Sequence, residues 1–208
     1  MTILRGAHAL ATAALLLAAV TGCADDEPGL PASDPPRTAD SVSPPATSAT
    51  SPTTPNEAAA ADASTLVRTF YEVRDELRTD PTVKLTKLRS VAIGGELAAQ
   101  RTLFAREREQ GQHQTGRTKI AELTVEGVVL DNSDPDGGRV PTVQVDVCYD
   151  VGGVDILDRN GTSVVSDDRL DTGWIRYLVC NYNFEADTSG SWRVASSQNL
   201  ERPPCDRA

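Results

Sequence analysis

The spacing of the apolar residues changes once along this chain, close to Gly116. Before that point apolar residues recur every three or four positions, as on one face of an α-helix. After it they alternate with polar residues, as in a β-strand. A run of helices followed by a run of strands is typical of α+β domains. The pattern therefore predicts N-terminal helices packed on a curved antiparallel sheet of four strands.

Three helical segments are predicted between residues 62 and 110. Asp62 can cap the first, which ends near residue 78. Its apolar stripe contains Leu66, Val67, Phe70, Tyr71, Val73 and Leu77. Asp80 followed by Pro81 is a start signal for the second helix, which the glycines at 94 and 95 interrupt. The third helix is predicted over residues 96–110.

Four strands are predicted after Gly116, over residues 121–129, 143–149, 174–184 and 192–196. In the second strand, Val143, Val145, Val147 and Tyr149 share one face, and Gln144, Asp146 and Cys148 share the other. The glycines at 152 and 153 indicate a bend after this strand. The sheet is therefore expected to be a meander of long antiparallel strands.

Residues 1–22 have the features of a signal peptide. One positive charge at Arg5 precedes an apolar stretch over residues 9–20, which is too short to span a bilayer core of about 30 Å. Small residues then stand directly before Cys23. The segment resembles a bacterial lipoprotein signal with its lipobox, and this resemblance implies that Cys23 carries a diacylglyceryl group and becomes the first residue of the mature chain. The alternative is an ordinary secretory signal, with Cys23 a chance or disulfide-bonded cysteine.

Residues 23–61 are predicted to be the lipidated cysteine and a disordered tether. The segment from residue 24 holds 8 of the 13 prolines, no aromatic residue, and only Leu30 and Val42 as large aliphatic residues. Such a composition cannot bury enough apolar surface to offset the cost of ordering the chain. Residues 62–208 contain all the aromatic residues and are expected to form one domain. The protein is therefore predicted to be anchored on the extracytoplasmic face of the cell membrane.

The charge balance excludes some kinds of partner. With 30 acidic and 20 basic side chains, the net charge is -10, which disfavours binding to nucleic acid. His113, the single histidine after residue 22, is predicted to lie in a polar loop. The acidic residues at 146, 150, 155 and 158 match no calcium-binding loop and are expected to form a solvated face. We expect no metal ion and no other cofactor.

Three cysteines remain once Cys23 is assigned to lipid. Outside the cytoplasm they imply one disulfide and one spare thiol, with three possible pairings. Cys180 is in phase with Trp174, Leu178, Tyr182 and Phe184, so we expect it to be a small buried residue. The alternative is a reactive thiol, although nothing near it in the sequence would lower its pKa.

The domain resembles the NTF2-like (SnoaL-like) cone domains of lipoproteins from high-GC Gram-positive bacteria. The resemblance lies in the order of elements, in the stretch VCYDVGGVDILDRNGTSVV at residues 147–165, and in SWRVASSQNLERPPC at residues 191–205. It implies a cone of helices and bent strands, and it favours pairing of Cys148 with Cys205. It also implies that a homodimer can form through the open face of the sheet.

Two functions follow from this resemblance. The first is a non-enzymatic module that binds a protein partner or a small apolar ligand. The second is an isomerase or dehydratase acting on a small hydrophobic substrate inside the cone. The residues expected to face a pocket are Tyr71, Asp146, Tyr149 and Tyr177, but none of them matches a catalytic motif of the family, so no catalytic residue is assigned.

Overall fold

The computed structural model of the protein describes residues 54–208. The predicted signal peptide over residues 1–22, the predicted lipidation site Cys23 and the predicted tether as far as residue 53 lie outside the described residues. Within the described part of the chain, none of the helices combines the length and apolar character that a membrane crossing needs.

The first helix is α1 (Pro55–Thr79), and its cap lies eight residues before the predicted cap, Asp62. Thr54 caps it: the Thr54 hydroxyl accepts a hydrogen bond from the Glu57 amide at 3.2 Å, and the Glu57 carboxylate accepts one from the Thr54 amide at 2.7 Å. This reciprocal pair is a capping box, which satisfies two amides that the helix leaves free. Residues 55–61 are therefore helical and not part of the tether, and Asp62 is not a cap.

The second predicted helix is wrong. The region after α1 forms only a short 3₁₀ helix (Leu85–Ser90), and the next α-helix is α2 (Gly94–Glu109). Asp80 closes a turn by accepting a hydrogen bond from the Thr82 amide at 2.8 Å. Farther on, backbone hydrogen bonds of 2.9 Å join Val91 and Ile93 to Val194. A backbone that is paired with a strand cannot continue a helix.

The main sheet consists of four antiparallel strands in the order β2 (Lys119–Val129), β3 (Thr142–Asp150), β5 (Thr172–Cys180) and β6 (Arg193–Leu200). The predicted α+β class, with helices and a mostly antiparallel sheet, is confirmed. A separate two-stranded ribbon joins β1 (His113–Thr115) to β4 (Asp155–Leu157). His113 therefore lies in a short strand and not in a loop.

The strand bounds differ from the prediction at two places. Strand β5 ends at Cys180 because Asn181 starts a turn: its side-chain amide donates to the Asp187 carbonyl at 2.7 Å, and its side-chain oxygen accepts from the Asn183 amide at 2.9 Å. Tyr182 and Phe184 thus lie beyond the strand. Strand β6 extends four residues past the predicted end, to Leu200.

The change of period at Gly116 falls at a turn whose backbone conformation requires glycine. The φ of Gly116, +74°, lies in the left-handed region, and a Cβ atom at this position would stand 1.9 Å from the carbonyl oxygen of Gly153. The chain turns here from β1 into β2. Next to it, buried Gln114 donates a hydrogen bond of 2.8 Å to Asp75 of α1, which ties the ribbon to the helix.

The hydrophobic core lies between the helices and one face of the main sheet. We call this the inner face, and the opposite one the outer face. In β3 the valines at 143, 145 and 147 are fully buried on the inner face, as the alternation predicts. The core is completed by side chains of both α-helices, the 3₁₀ helix, strands β5 and β6, and the residue before β6: Val67, Phe70, Leu77, Leu88, Phe104, Tyr177, Val179, Trp192 and Val194.

Candidate functional site

A partly open cavity of about 540 Å³ lies at one end of the core, between α1 and the inner face of the sheet. Residues from α1, β3, β5 and β6 form its base, and the segments before and after β4 form its rim. Its size is within the range of small-molecule sites in proteins. Most of its wall is apolar, formed by Val151, Val154, Ile156, Val165, Leu170 and Ile175.

Three of the four predicted pocket residues line this cavity: Tyr71, Tyr149 and Tyr177. The Tyr177 hydroxyl donates to the Tyr71 hydroxyl at 3.0 Å, and both rings are almost completely buried. Burial raises the pKa of Tyr177, and it raises the pKa of Tyr71 well above its ordinary value, because a buried phenolate would lose its hydration. Both phenols are therefore neutral hydrogen-bonding groups at physiological pH.

Asp146 does not belong to the cavity. It lies on the outer face of the sheet, because alternation along β3 puts it opposite to Val145 and Val147. Its side chain is fully buried, and its charge is paired with two arginines. Arg176 donates to the carboxylate at 2.6 and 2.8 Å, and Arg202 donates to it at 2.6 Å. The predicted solvated acidic face is therefore wrong at this position.

The two arginines make Asp146 a source of pH-dependent stability. Hydrogen bonds from Arg176, opposed by burial and supported by the charges of Arg176 and Arg202, hold the pKa of Asp146 below its ordinary value. A carboxyl group whose pKa is lower in the folded chain stabilises it above the unfolded pKa of about 3.9. This stabilisation is lost as the pH falls through the lower, folded value.

We predict that Asp146→Asn reduces the free energy of unfolding by about 1–3 kcal/mol at neutral pH, because charge-assisted hydrogen bonds become neutral ones. Urea denaturation at pH 7 and at steps below pH 4 measures this. The difference from the unmutated chain should shrink as Asp146 is protonated. Asp167→Asn, in an exposed loop, is the control. A difference that stays constant over this range would contradict the role assigned to Asp146.

Three arginines that line the cavity were missed from the sequence: Arg74, Arg78 and Arg169. Two of them have partners in the protein. Arg78 forms an ion pair with Glu107 of α2, and Arg169 donates at 2.9 Å to the carbonyl oxygens of Val151 and Val154. Tyr71, Arg74 and Arg78 recur at helical spacing. The sequence therefore already indicates that Arg74 and Arg78 lie on the same side of α1 as the predicted pocket residue Tyr71.

Arg74 has no such partner. Its guanidinium lies over the rings of Phe70 and Tyr71, at 5.3 and 5.4 Å from their centroids. Its Nε is buried without a hydrogen-bond partner. Among residues 54–208, no carboxylate forms an ion pair with it. The lining of the cavity contains cationic side chains and no acidic one.

The acidic residues considered for calcium have other roles. Asp150 accepts hydrogen bonds from the Gly152 and Ala208 amides, and Asp158 accepts from amides of its own turn. Asp155 accepts from the Ile156 amide and the Ser163 hydroxyl. The described residues contain no cluster of side chains suited to hold a metal ion.

The cysteines pair as the family resemblance implied. Cys148 and Cys205 form a disulfide, with a Cα–Cα distance of 6.4 Å, and Cys180 is a free, buried thiol. Burial raises the pKa of Cys180, which keeps it in the less reactive protonated form. The disulfide holds the C-terminal segment, residues 201–208, against the outer face of β3.

Comparison with known proteins leaves the family open. No family model matches the chain, and no curated protein matches it. The intermembrane space region of the chloroplast protein ARC6 is similar in structure, with 16% sequence identity and a TM-score of 0.47, over 68% of this chain and 95% of that one. The transfer protein TraH from the Gram-positive conjugative plasmid pIP501 gives 9% identity and a TM-score of 0.38, over 68% and 94%. Both likenesses are too weak to assign a family or a function.

Proposed function

We propose that this protein is an extracytoplasmic lipoprotein, anchored through Cys23, whose NTF2-like domain binds a small, mostly apolar ligand. The observation that carries the ligand-binding role is the cavity of about 540 Å³ at the end of the core, with its apolar wall and a few polar groups at its base. Such a combination is characteristic of ligand sites. Helices on one face of an antiparallel sheet, with a cavity between the layers, support the cone architecture.

Two features support the extracytoplasmic location. The first is the N-terminal sequence, with its short apolar stretch and the small residues before Cys23. The second is the Cys148–Cys205 disulfide, since structural disulfides persist in oxidising compartments and are rare in the cytoplasm.

The lining of the cavity favours binding over catalysis. An isomerase or dehydratase needs a general base within reach of its substrate. The residues that line the cavity include no carboxylate and no imidazole, and burial raises the pKa of Tyr71 and Tyr177. Asp146 lies on the other side of the sheet, so neither it nor the two buried tyrosines is suited to remove a proton from a ligand in the cavity.

Two neighbouring substitutions test the binding role. Val165 lines the cavity, whereas Val164 does not line it and is 47% exposed. We expect Val165→Trp to fill the cavity and to weaken binding of a neutral fluorescent probe, N-phenylnaphthylamine, at least about tenfold, since a bulky side chain must be displaced. Val164→Trp adds the same indole to the same loop outside the cavity and should leave the affinity unchanged. Equal affinity in both variants, or no binding to the unmutated chain, would exclude this cavity as the site.

A further inference from the structure

The unpartnered cation at the base of the cavity indicates what kind of ligand fits. Arginine stays charged in proteins, and enclosing part of a charge is costly unless it is paired. Arg74 is half-buried, and its Nε is fully enclosed. The two acidic residues whose charges act on Arg74 are engaged elsewhere. Asp75 accepts hydrogen bonds from Gln114 and Thr118, and Glu96 accepts from Gln100 and Ser197.

The cavity has polar groups at its buried end and a mostly apolar wall that leads to its rim, where Ser166 and Arg169 are the polar exceptions. At its buried end lie the Nε of Arg74 and the hydroxyls of Tyr71 and Tyr177. At its exposed end lie apolar side chains, among them Leu170, which is 69% exposed. A ligand that fits both ends has a polar head, which enters first, and an apolar body, which follows.

We infer that the ligand is an amphipathic anion, a single apolar chain that ends in a carboxylate or phosphate group, and that Arg74 binds this head. The inference rests on the proposed ligand-binding role and adds the charge of the ligand to it. The guanidinium donates in a fork that matches both kinds of anion. The Tyr71 hydroxyl accepts from Tyr177, so its own hydrogen remains available to donate to an oxygen of the same head group. The protein as a whole is acidic, so its net charge repels an anion, and the attraction must come from local cations such as Arg74.

Four probes with the same twelve-carbon chain test the sign of the charge: dodecanoate, dodecyl phosphate, dodecanol and dodecyltrimethylammonium. The protein is the chain from Ala24, which keeps every described residue and lacks the predicted lipid-attachment site. Calorimetric titration should show at least one of the two anions binding about tenfold tighter than dodecanol, because the anion gains an ionic hydrogen bond from Arg74. The cation should bind weakest, because Arg74 repels it. The comparison of the two anions identifies the head group.

Variants of Arg74 connect the preference to this residue. Arg74→Met should lower the affinity for the preferred anion about tenfold, to the level of dodecanol, and leave dodecanol itself unchanged. Arg74→Lys keeps the charge and should retain part of the preference. Arg68→Met is the matched control, since Arg68 is an exposed residue of the same helix and its loss changes the net charge equally. If Arg74→Met does not fold, the head-group series on the unmutated chain decides the inference.

The outcomes separate the inference from the proposed function. Equal binding of dodecanol and both anions, with Val165→Trp blocking all of them, would overturn the anionic head and leave the binding role of the cavity intact. The inference would also be overturned if an anion bound preferentially but Arg74→Met and Arg68→Met weakened its binding equally. The attraction would then be a general charge effect. Failure of every probe and of the neutral dye to bind would overturn the proposed function together with the inference.

Discussion

We expect replacement of Cys23 by alanine to move nearly all of the protein from the membrane fraction to the soluble fraction of a bacterium that processes lipoproteins. Each buried methylene of an acyl chain contributes about 0.8 kcal/mol, so two chains hold a protein on a membrane almost permanently. Without the thiol no lipid can be attached. Fractionation of cells followed by immunoblotting measures the distribution, and mass spectrometry of the N-terminal peptide measures the lipid.

The control for this experiment is Cys180→Ala. It removes one thiol as well, but from a buried position in β5, and should leave the protein in the membrane fraction. A Cys23→Ala protein that remains with the membranes would contradict the lipoprotein proposal, since some other part of the chain would then provide the attachment.

The second large effect concerns the disulfide. We expect Cys205→Ser to lower the free energy of unfolding by about 4 kcal/mol, because the bond closes a loop of 57 residues and restricts the unfolded chain. The C-terminal segment would also lose its anchor. In the folded protein the Trp174 indole donates to the Pro203 carbonyl at 3.1 Å, and the Thr172 hydroxyl donates to the Cys205 carbonyl at 3.2 Å. These two hydrogen bonds and the Arg202–Asp146 ion pair are non-covalent and remain among the contacts of the segment.

Denaturation in urea, with and without a reductant, measures the contribution of the disulfide. Reduction should destabilise the unmutated chain by about as much as the substitution does, and it should have little effect on Cys205→Ser. Cys180→Ala is again the matched control, with an expected loss near 1 kcal/mol, typical of a small buried truncation. If reductant left the unmutated chain unchanged, the pairing of Cys148 with Cys205 would be wrong.

The sequence predicts the layers of the fold well and its boundaries less well. Alternation predicts the inner face of β3 correctly, because valines at every second position of a strand lie on the same face. The predicted start of α1 is wrong although Thr54 and Glu57 have the spacing of a capping box. The segment up to residue 61 lacks aromatic residues and is rich in proline, and this composition predicted a tether. The 3₁₀ helix was unpredictable from local spacing, since the pairing of Val91 and Ile93 with Val194 depends on a strand about a hundred residues away.

The candidate site was predicted in part. The three tyrosines were identified from the family resemblance, and Asp146 was included although its own strand pattern put it on the outer face. The rim could not be predicted. Arg169 holds it by donating to the carbonyl oxygens of Val151 and Val154, and every residue has such an oxygen, so the sequence does not indicate which ones are bound. A homodimer through the open sheet face, or a protein partner, stays a prediction.

The measurement that tests the central claim most directly is a crystal structure of the chain from Ala24, grown with and without dodecanoate. We predict an open cavity in both crystals and, with the additive, continuous electron density from the guanidinium of Arg74 to the rim at Leu170. A cavity filled by its own side chains, or density confined to the outer face of the sheet, would contradict the assignment of this cavity as the ligand site.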